Sequence, residues 1–125
     1  MILDTNAISA LVARDQKLIN IISFAPYLAT TLVNLGEYSF GILGSSKRHE
    51  LERWLDAFLE RIDVLAANRY TIPHYAAIRD ELKNAGTPIP ANDVWIAAIA
   101  RQYKLPLASR DQHFEKVRDL KCLSW

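Results

Sequence analysis

Met1-Ile2-Leu3-Asp4-Thr5-Asn6 decides the fold: three apolar residues, an acid, then two residues that cap helices. A short apolar run bounded in this way suits a strand of a parallel sheet, where both faces are covered. Thr5 or Asn6 can then open a helix running towards Ile22. Strand-then-helix recurs downstream. Pro26–Thr30 is a second strand candidate, opened by a proline where a missing N–H is tolerated. Thr30 or Thr31 caps a helix to about Leu43, ended by Gly44. Lys47–Ile62 is amphipathic, with Leu51, Trp54, Leu55, Phe58 and Leu59 on one face. Val64–Ala66 is a third strand candidate, and Tyr70–Ala85 a helix with Gly86 at its end. Thr87-Pro88-Ile89-Pro90 is a rigid loop feeding the helix Asn92–Tyr103. Pro106 ends that helix, Leu107–Ser109 forms a strand, and Lys121–Ser124 a last one. Strands alternating with helices predict an α/β fold with a central, mainly parallel sheet.

The 125 residues suit one domain, residues 1–125, with no linker, repeat or low-complexity segment to divide it. Half the chain is hydrophobic, too much for disorder. The single cysteine, Cys122, forms no intrachain disulfide, and neither a signal peptide nor an apolar run of membrane-span length is present, so the expected compartment is the cytoplasm.

Four acids occupy positions that structure alone explains poorly. Asp4 ends the first apolar run, and Asp111 follows the strand Leu107–Ser109. Ligands of open α/β sheets bind at such carboxyl ends. Glu37 is the only charge in Tyr27–Ser46, with no Lys or Arg within a helical turn. Buried without a partner it would cost several kcal/mol. Asp93 opens the apolar helix Val94–Ala100. Two carboxylates roughly 6 Å apart repel by about 3 kcal/mol at an effective dielectric of about 20. Four that converge therefore demand a cation, and an all-oxygen site suits Mg²⁺ or Mn²⁺. That points to a metal-dependent phosphodiesterase.

Three of the acids also have a plainer explanation, whereas Glu37 must face water, a distant base or a metal. Asp4 could cap a helix, although Thr5 and Asn6 make it redundant there. Asn92 or Asp93 could cap the helix they open, where a negative charge also suits the helix dipole. Asp111 could cap a turn over Gln112–Lys116. The common setting of the four favours convergence.

Other chemistries are absent. His49, His74 and His113 form no paired zinc motif, and the serines form no Gly-x-Ser-x-Gly elbow. Neither Gly-rich nucleotide cradle occurs. A phosphoryl-accepting α/β domain would need a mid-chain aspartate after a strand, whereas Asp56 and Asp63 lie within or at the end of an amphipathic helix. Tyr38, Trp54, Trp95 and Tyr103 fall at helical spacing among aliphatic residues, as core or interface aromatics do. The net charge is +1, but setting four of the fourteen acids aside leaves fifteen basic residues facing ten. Such a balance is compatible with phosphate contacts.

Ile2-Leu-Asp-Thr-Asn6, Thr31-Leu-Val-Asn-Leu-Gly-Glu-Tyr38, Pro90-Ala-Asn-Asp-Val-Trp-Ile-Ala-Ala98 and Ser109-Arg-Asp-Gln-His-Phe114 together resemble the four signatures of PIN-domain nucleases. The resemblance spans essentially the whole chain, and is nearest to the VapC-type toxins of bacterial toxin–antitoxin pairs. It implies an α/β/α sandwich and an endoribonuclease using one or two Mg²⁺ or Mn²⁺ ions. Carried onto this chain, the catalytic and metal-site acids are Asp4, Glu37, Asp93 and Asp111. Asn6 and Ser109 stand at positions that often support the acids or the scissile phosphate, and Arg110 is a substrate-positioning candidate. Asn34 stands where Ser or Thr is common. The implied chemistry is hydrolysis by a metal-activated water, leaving 5′-phosphate and 3′-hydroxyl ends. The implied partners are RNA, a second copy of the chain, and a small VapB-like antitoxin whose C-terminal segment covers the groove. The alternatives are a housekeeping RNA-processing nuclease on the same scaffold and a catalytically silent RNA-binding module.

Overall fold

The computed structural model describes Met1–Trp125. Its elements are β1 (Ile2–Leu3), α1 (Thr5–Val12), α2 (Gln16–Ile22), β2 (Ala29–Thr31), α3 (Leu32–Ile42), α4 (Arg48–Leu59), β3 (Asp63–Leu65), α5 (Ile72–Asn84), α6 (Ala91–Tyr103), β4 (Leu107–Ala108), a 3-10 helix (Gln112–Lys116) and β5 (Cys122–Leu123). The five strands form one parallel sheet in the order β3-β2-β1-β4-β5. This is the expected α/β class, with a three-layer α/β/α arrangement.

The two-residue period of a strand divides the core. Ile2 pairs with Leu107, and both join the cluster under α5 and α6, with Ile78, Val94, Ile99 and Phe114. Leu3 pairs with Ala108, and both face the other way, to Ile8, Leu18, Leu35, Tyr38 and Leu55 of α1–α4. α6 is the most deeply set helix: Val94 and Ile96–Ala100 are all buried. No helix is long and apolar enough to cross a membrane.

Several boundaries differ from expectation. The helix expected from Thr5 or Asn6 to Ile22 is broken at Arg14, whose φ of 55° is left-handed. Asp15 then caps α2 by accepting from the Lys17 and Leu18 amides. The second strand starts at Ala29, the first residue to pair with both Ile2 and Asp63, so Pro26 lies outside it. α4 ends at Leu59, three residues early, and β3 begins one residue early, at Asp63. Gly86, at φ 69°, follows α5 as expected. Among the singled-out aromatics, Tyr38 is buried, Trp54 stacks on Phe58, Trp95 stacks on Tyr75, and Tyr103 is exposed.

Strand order locates the site. From β1 the chain moves outward to β2 and β3, then returns to β4 on the opposite side of β1 and continues to β5. The connections leaving β1 and β4 therefore diverge, opening a crevice at the carboxyl ends of these two strands.

Candidate active site

Asp4 lies at that crevice, 3% exposed. Its Oδ1 accepts the Ala7 amide at 2.8 Å, which makes Asp4 the N-cap of α1. The expectation that Thr5 or Asn6 provides this cap is corrected: the chain is still extended at Asp4, and its side chain is the one that reaches the free amide. The second oxygen, Oδ2, accepts the Ser109 hydroxyl. Ser109 Oγ in turn accepts the Asp111 amide at 3.0 Å, so one hydroxyl ties the end of β1 to the segment after β4. Burial pushes the Asp4 carboxyl up to about 6; the Ser109 and Ala7 bonds oppose this, and the charge of Asp111 adds to it.

Glu37, on α3, is held from two sides. Thr5 Oγ1 donates to Oε2 at 2.8 Å, and Asn92 Nδ2 donates to Oε1. Asp93, in the first turn of α6, is 6% exposed. Burial raises its pKa, and the charges of Asp111 and Glu37 add to the rise, while the contact with His113 opposes it. Neither Asn92 nor Asp93 is a cap: Pro90 holds that position, and no side chain caps the helix. Asp111 does cap its 3-10 helix, accepting the His113 amide on Oδ1 at 2.9 Å. The His113 ring completes the cluster, with Nδ1 2.9 Å from Asp93 Oδ2 and 3.2 Å from Asp111 Oδ1. Asp93, Asp111 and His113 present ligand atoms that all lie within 4.8 Å of one another. The Asp111 and His113 side chains remain 32% and 42% exposed, so the cluster opens to solvent.

The four acids are thus coupled in series, Asp4 to Asp111, Asp111 to Asp93, and Asp93 to Glu37. Among the supporting candidates, Ser109 sits at the junction and Asn6 lies on the first turn of α1, near enough to favour the charged form of Asp4. Arg110 points elsewhere. Its guanidinium pairs with Asp15 at 3.0 Å and lies over the Trp125 ring.

Sequence reasoning passed over three residues here. His113 lacks a histidine partner in the sequence, yet Asp111-Gln112-His113 on a capped turn carries its own signal: a cap at the first position draws the third residue back beside it. Thr5 and Asn92 read only as caps in the sequence, whereas in the structure both donate to Glu37. Cys122, by contrast, offers no chemistry here. Burial, with Asp4 and Glu115 nearby, pushes its thiol up to about 11.

Comparison with known proteins identifies the family and agrees with the fold. The PIN domain family model matches residues 1–120. The chain is 30% identical over 128 residues to a Haemophilus influenzae protein (strain R2866) named ribonuclease VapC1, covering 98% of this chain and 96% of that one. Among solved structures, VapBC-1 from nontypeable Haemophilus influenzae superposes with a TM-score of 0.86 at 27% identity, over 99% of this chain and 96% of that one. VapBC2 from Rickettsia felis, bound to a DNA fragment from its promoter, has the same TM-score at 24% identity, over 99% and 97%, and bears on the fold alone. The chain therefore belongs to the PIN-domain family, among the proteins related to VapC.

Proposed function

We propose that this chain is a divalent-metal-dependent endoribonuclease, acting as the VapC-type toxin of a pair and restrained by a small VapB-like antitoxin. One observation carries the proposal. Burial and mutual repulsion raise the pKa values of Asp4 and Asp93, yet no Lys or Arg pairs with any acid of the cluster. A site built only for stability would pair these charges or replace them with apolar groups. The donors are mainly carboxylate oxygens, which fits Mg²⁺ or Mn²⁺. Asp4, Glu37, Asp93 and Asp111 would hold the metal. When bound, the ion neutralises the acids and acts as a Lewis acid towards phosphate oxygens.

The chain's own residues supply position and proton transfer. Ser109 fixes Asp4, and Thr5 with Asn92 fixes Glu37, so these two carboxylates are already oriented before substrate arrives. A carboxylate of the cluster accepts the proton of the attacking water as the new P–O bond forms. The P–O3′ bond breaks, and the departing 3′-oxygen takes a proton from solvent, leaving a 5′-phosphate and a 3′-hydroxyl. Single-stranded RNA suits a site that opens to solvent, because an unpaired backbone can reach an exposed cluster. The similar structure solved as VapBC-1 supports the antitoxin as partner. The exposed Leu32 and Phe40 of α3, with Leu43 just past its end, support association with a second copy. The cytoplasm is the compartment that such a pair implies.

Cleavage of a single-stranded RNA by wild-type protein, Asp4→Asn and Asp93→Asn, each in Mg²⁺ and in EDTA, tests the proposal. Wild type cleaves only with metal, and each variant loses at least about a hundredfold in rate. Undiminished cleavage by both variants rules the proposal out. RNA binding without cleavage by wild type favours the silent module instead.

A further inference from the structure

We propose that His113 is itself a metal ligand and that its nitrogen biases the site towards Mn²⁺ over Mg²⁺. The inference rests on the metal-dependent function proposed above and names one ligand and its consequence. Nδ1 lies 2.9 Å from Asp93 Oδ2 and 3.2 Å from Asp111 Oδ1, so one ring nitrogen faces two carboxylate oxygens from different elements. Adjacent donors around a six-coordinate ion with bonds of about 2.1 Å stand about 3.0 Å apart. The observed separations match that edge length, as they also match hydrogen bonds.

The fold supports the ring from below. The His113 amide donates to Asp111, and the next residue, Phe114, is 2% exposed in the core beneath α5 and α6. The imidazole is therefore aimed at Asp93 across 20 residues of sequence by a buried anchor. His49, by comparison, has an exposed side chain on α4, beside Glu52.

Imidazole is a good donor for first-row transition ions, whereas Mg²⁺ takes oxygen ligands almost exclusively. A nitrogen in the ligand set therefore strengthens Mn²⁺ more than Mg²⁺. The ion would bind Nδ1 through its lone pair, in the tautomer that carries its proton on Nε2. In the competing arrangement His113 only hydrogen-bonds to Asp93 and orients it, and the ligands are all oxygen.

Pulsed electron paramagnetic resonance of the Mn²⁺-loaded full chain separates the two. A nitrogen ligand gives ¹⁴N modulation that changes when histidine is ¹⁵N-labelled, with no substitution needed. His113→Gln abolishes the modulation, while His49→Gln retains it. In binding titrations His113→Gln lowers the preference for Mn²⁺ over Mg²⁺ by about tenfold. Stoichiometric Mn²⁺ binding without nitrogen modulation, or an unchanged metal preference in His113→Gln, overturns the assignment while leaving the nuclease proposal standing. Failure of wild type to bind Mn²⁺ at all overturns both.

Discussion

Asp4→Asn should make the metal-free protein more stable near neutral pH and not in acid. The buried carboxyl has a pKa of about 6 in the folded chain, against an ordinary value of 3.8. A gap of that size is worth about 3 kcal/mol. The folded state holds the Asp4 proton more tightly, so this group's contribution is fully present below about pH 4 and is lost as pH rises through about 6. Wild type in EDTA at about pH 8 therefore carries nearly the whole penalty, and about half of it at pH 5. Asparagine removes the charge. Its carbonyl can still cap α1 through the Ala7 amide, but its NH₂ turns the Ser109 contact around and leaves that hydroxyl hydrogen in need of an acceptor. The loss is about 1 kcal/mol. The net expectation is a gain of about 2 kcal/mol at pH 8, falling below zero at pH 4.

Urea unfolding of both proteins in EDTA, at steps from about pH 4 to 8, reads this directly. Adding Mn²⁺ at pH 8 should reverse the order, stabilising wild type and scarcely affecting the variant. A variant less stable than wild type by the same amount at every pH would refute the reasoning, because it would mean that burial does not penalise the Asp4 charge.

Ser109→Ala removes both the hydroxyl that Asp4 accepts and the oxygen that receives the Asp111 amide. The Asp4 pKa should rise further and move the acidic limb of the cleavage pH profile upward, with a stability loss of about 2 kcal/mol. Phe114→Ala empties a core position 2% exposed and should cost about 3–5 kcal/mol in chemical unfolding. Metal affinity should fall with it, measured by calorimetry, because Phe114 anchors the turn that carries Asp111 and His113. Phe40→Glu, at a side chain 78% exposed, should leave unfolding free energy within about 0.5 kcal/mol of wild type and shift the chain towards monomer in sedimentation.

The elements legible in the sequence were those whose signals are local. Gly86 at the end of α5, Thr31 at the start of α3 and the apolar face of α6 all follow from nearby residues, and the structure places them as expected. The break at Arg14 was missed because Ile8, Leu11, Leu18 and Ile22 keep a helical rhythm across it, while the stop depends on Asp15 capping α2. The convergence of Asp4 and Asp111 could be anticipated from strand ends, since both follow neighbouring strands. The partners of Glu37 could not. Thr5 and Asn92 are separated from it by 32 and 55 residues and meet it only because α1, α3 and α6 converge at the crevice. The orientation of Arg110 was equally hidden, since Asp15 and Trp125 claim its guanidinium from opposite ends of the chain.

Asp4 also shows why setting a capping role against a functional one is a false choice. A carboxylate has two oxygens, and here Oδ1 satisfies the Ala7 amide while Oδ2 meets Ser109 at the crevice. The cap fixes the side chain's rotation, so the oxygen that meets Ser109 is directed by the first turn of α1. Asp111 repeats the device, since it caps its own turn and so brings His113 beside Asp93. In both cases the residue that starts a helical turn after a strand also contributes charge to the cluster. At Asp4 the cost of burying that charge falls on the metal-free fold, and a cation that entered would relieve it. Under the proposed function, metal-free stability and metal affinity are therefore opposed at Asp4: a substitution that keeps the cap and removes the charge, as Asn does, should raise the first and lower the second.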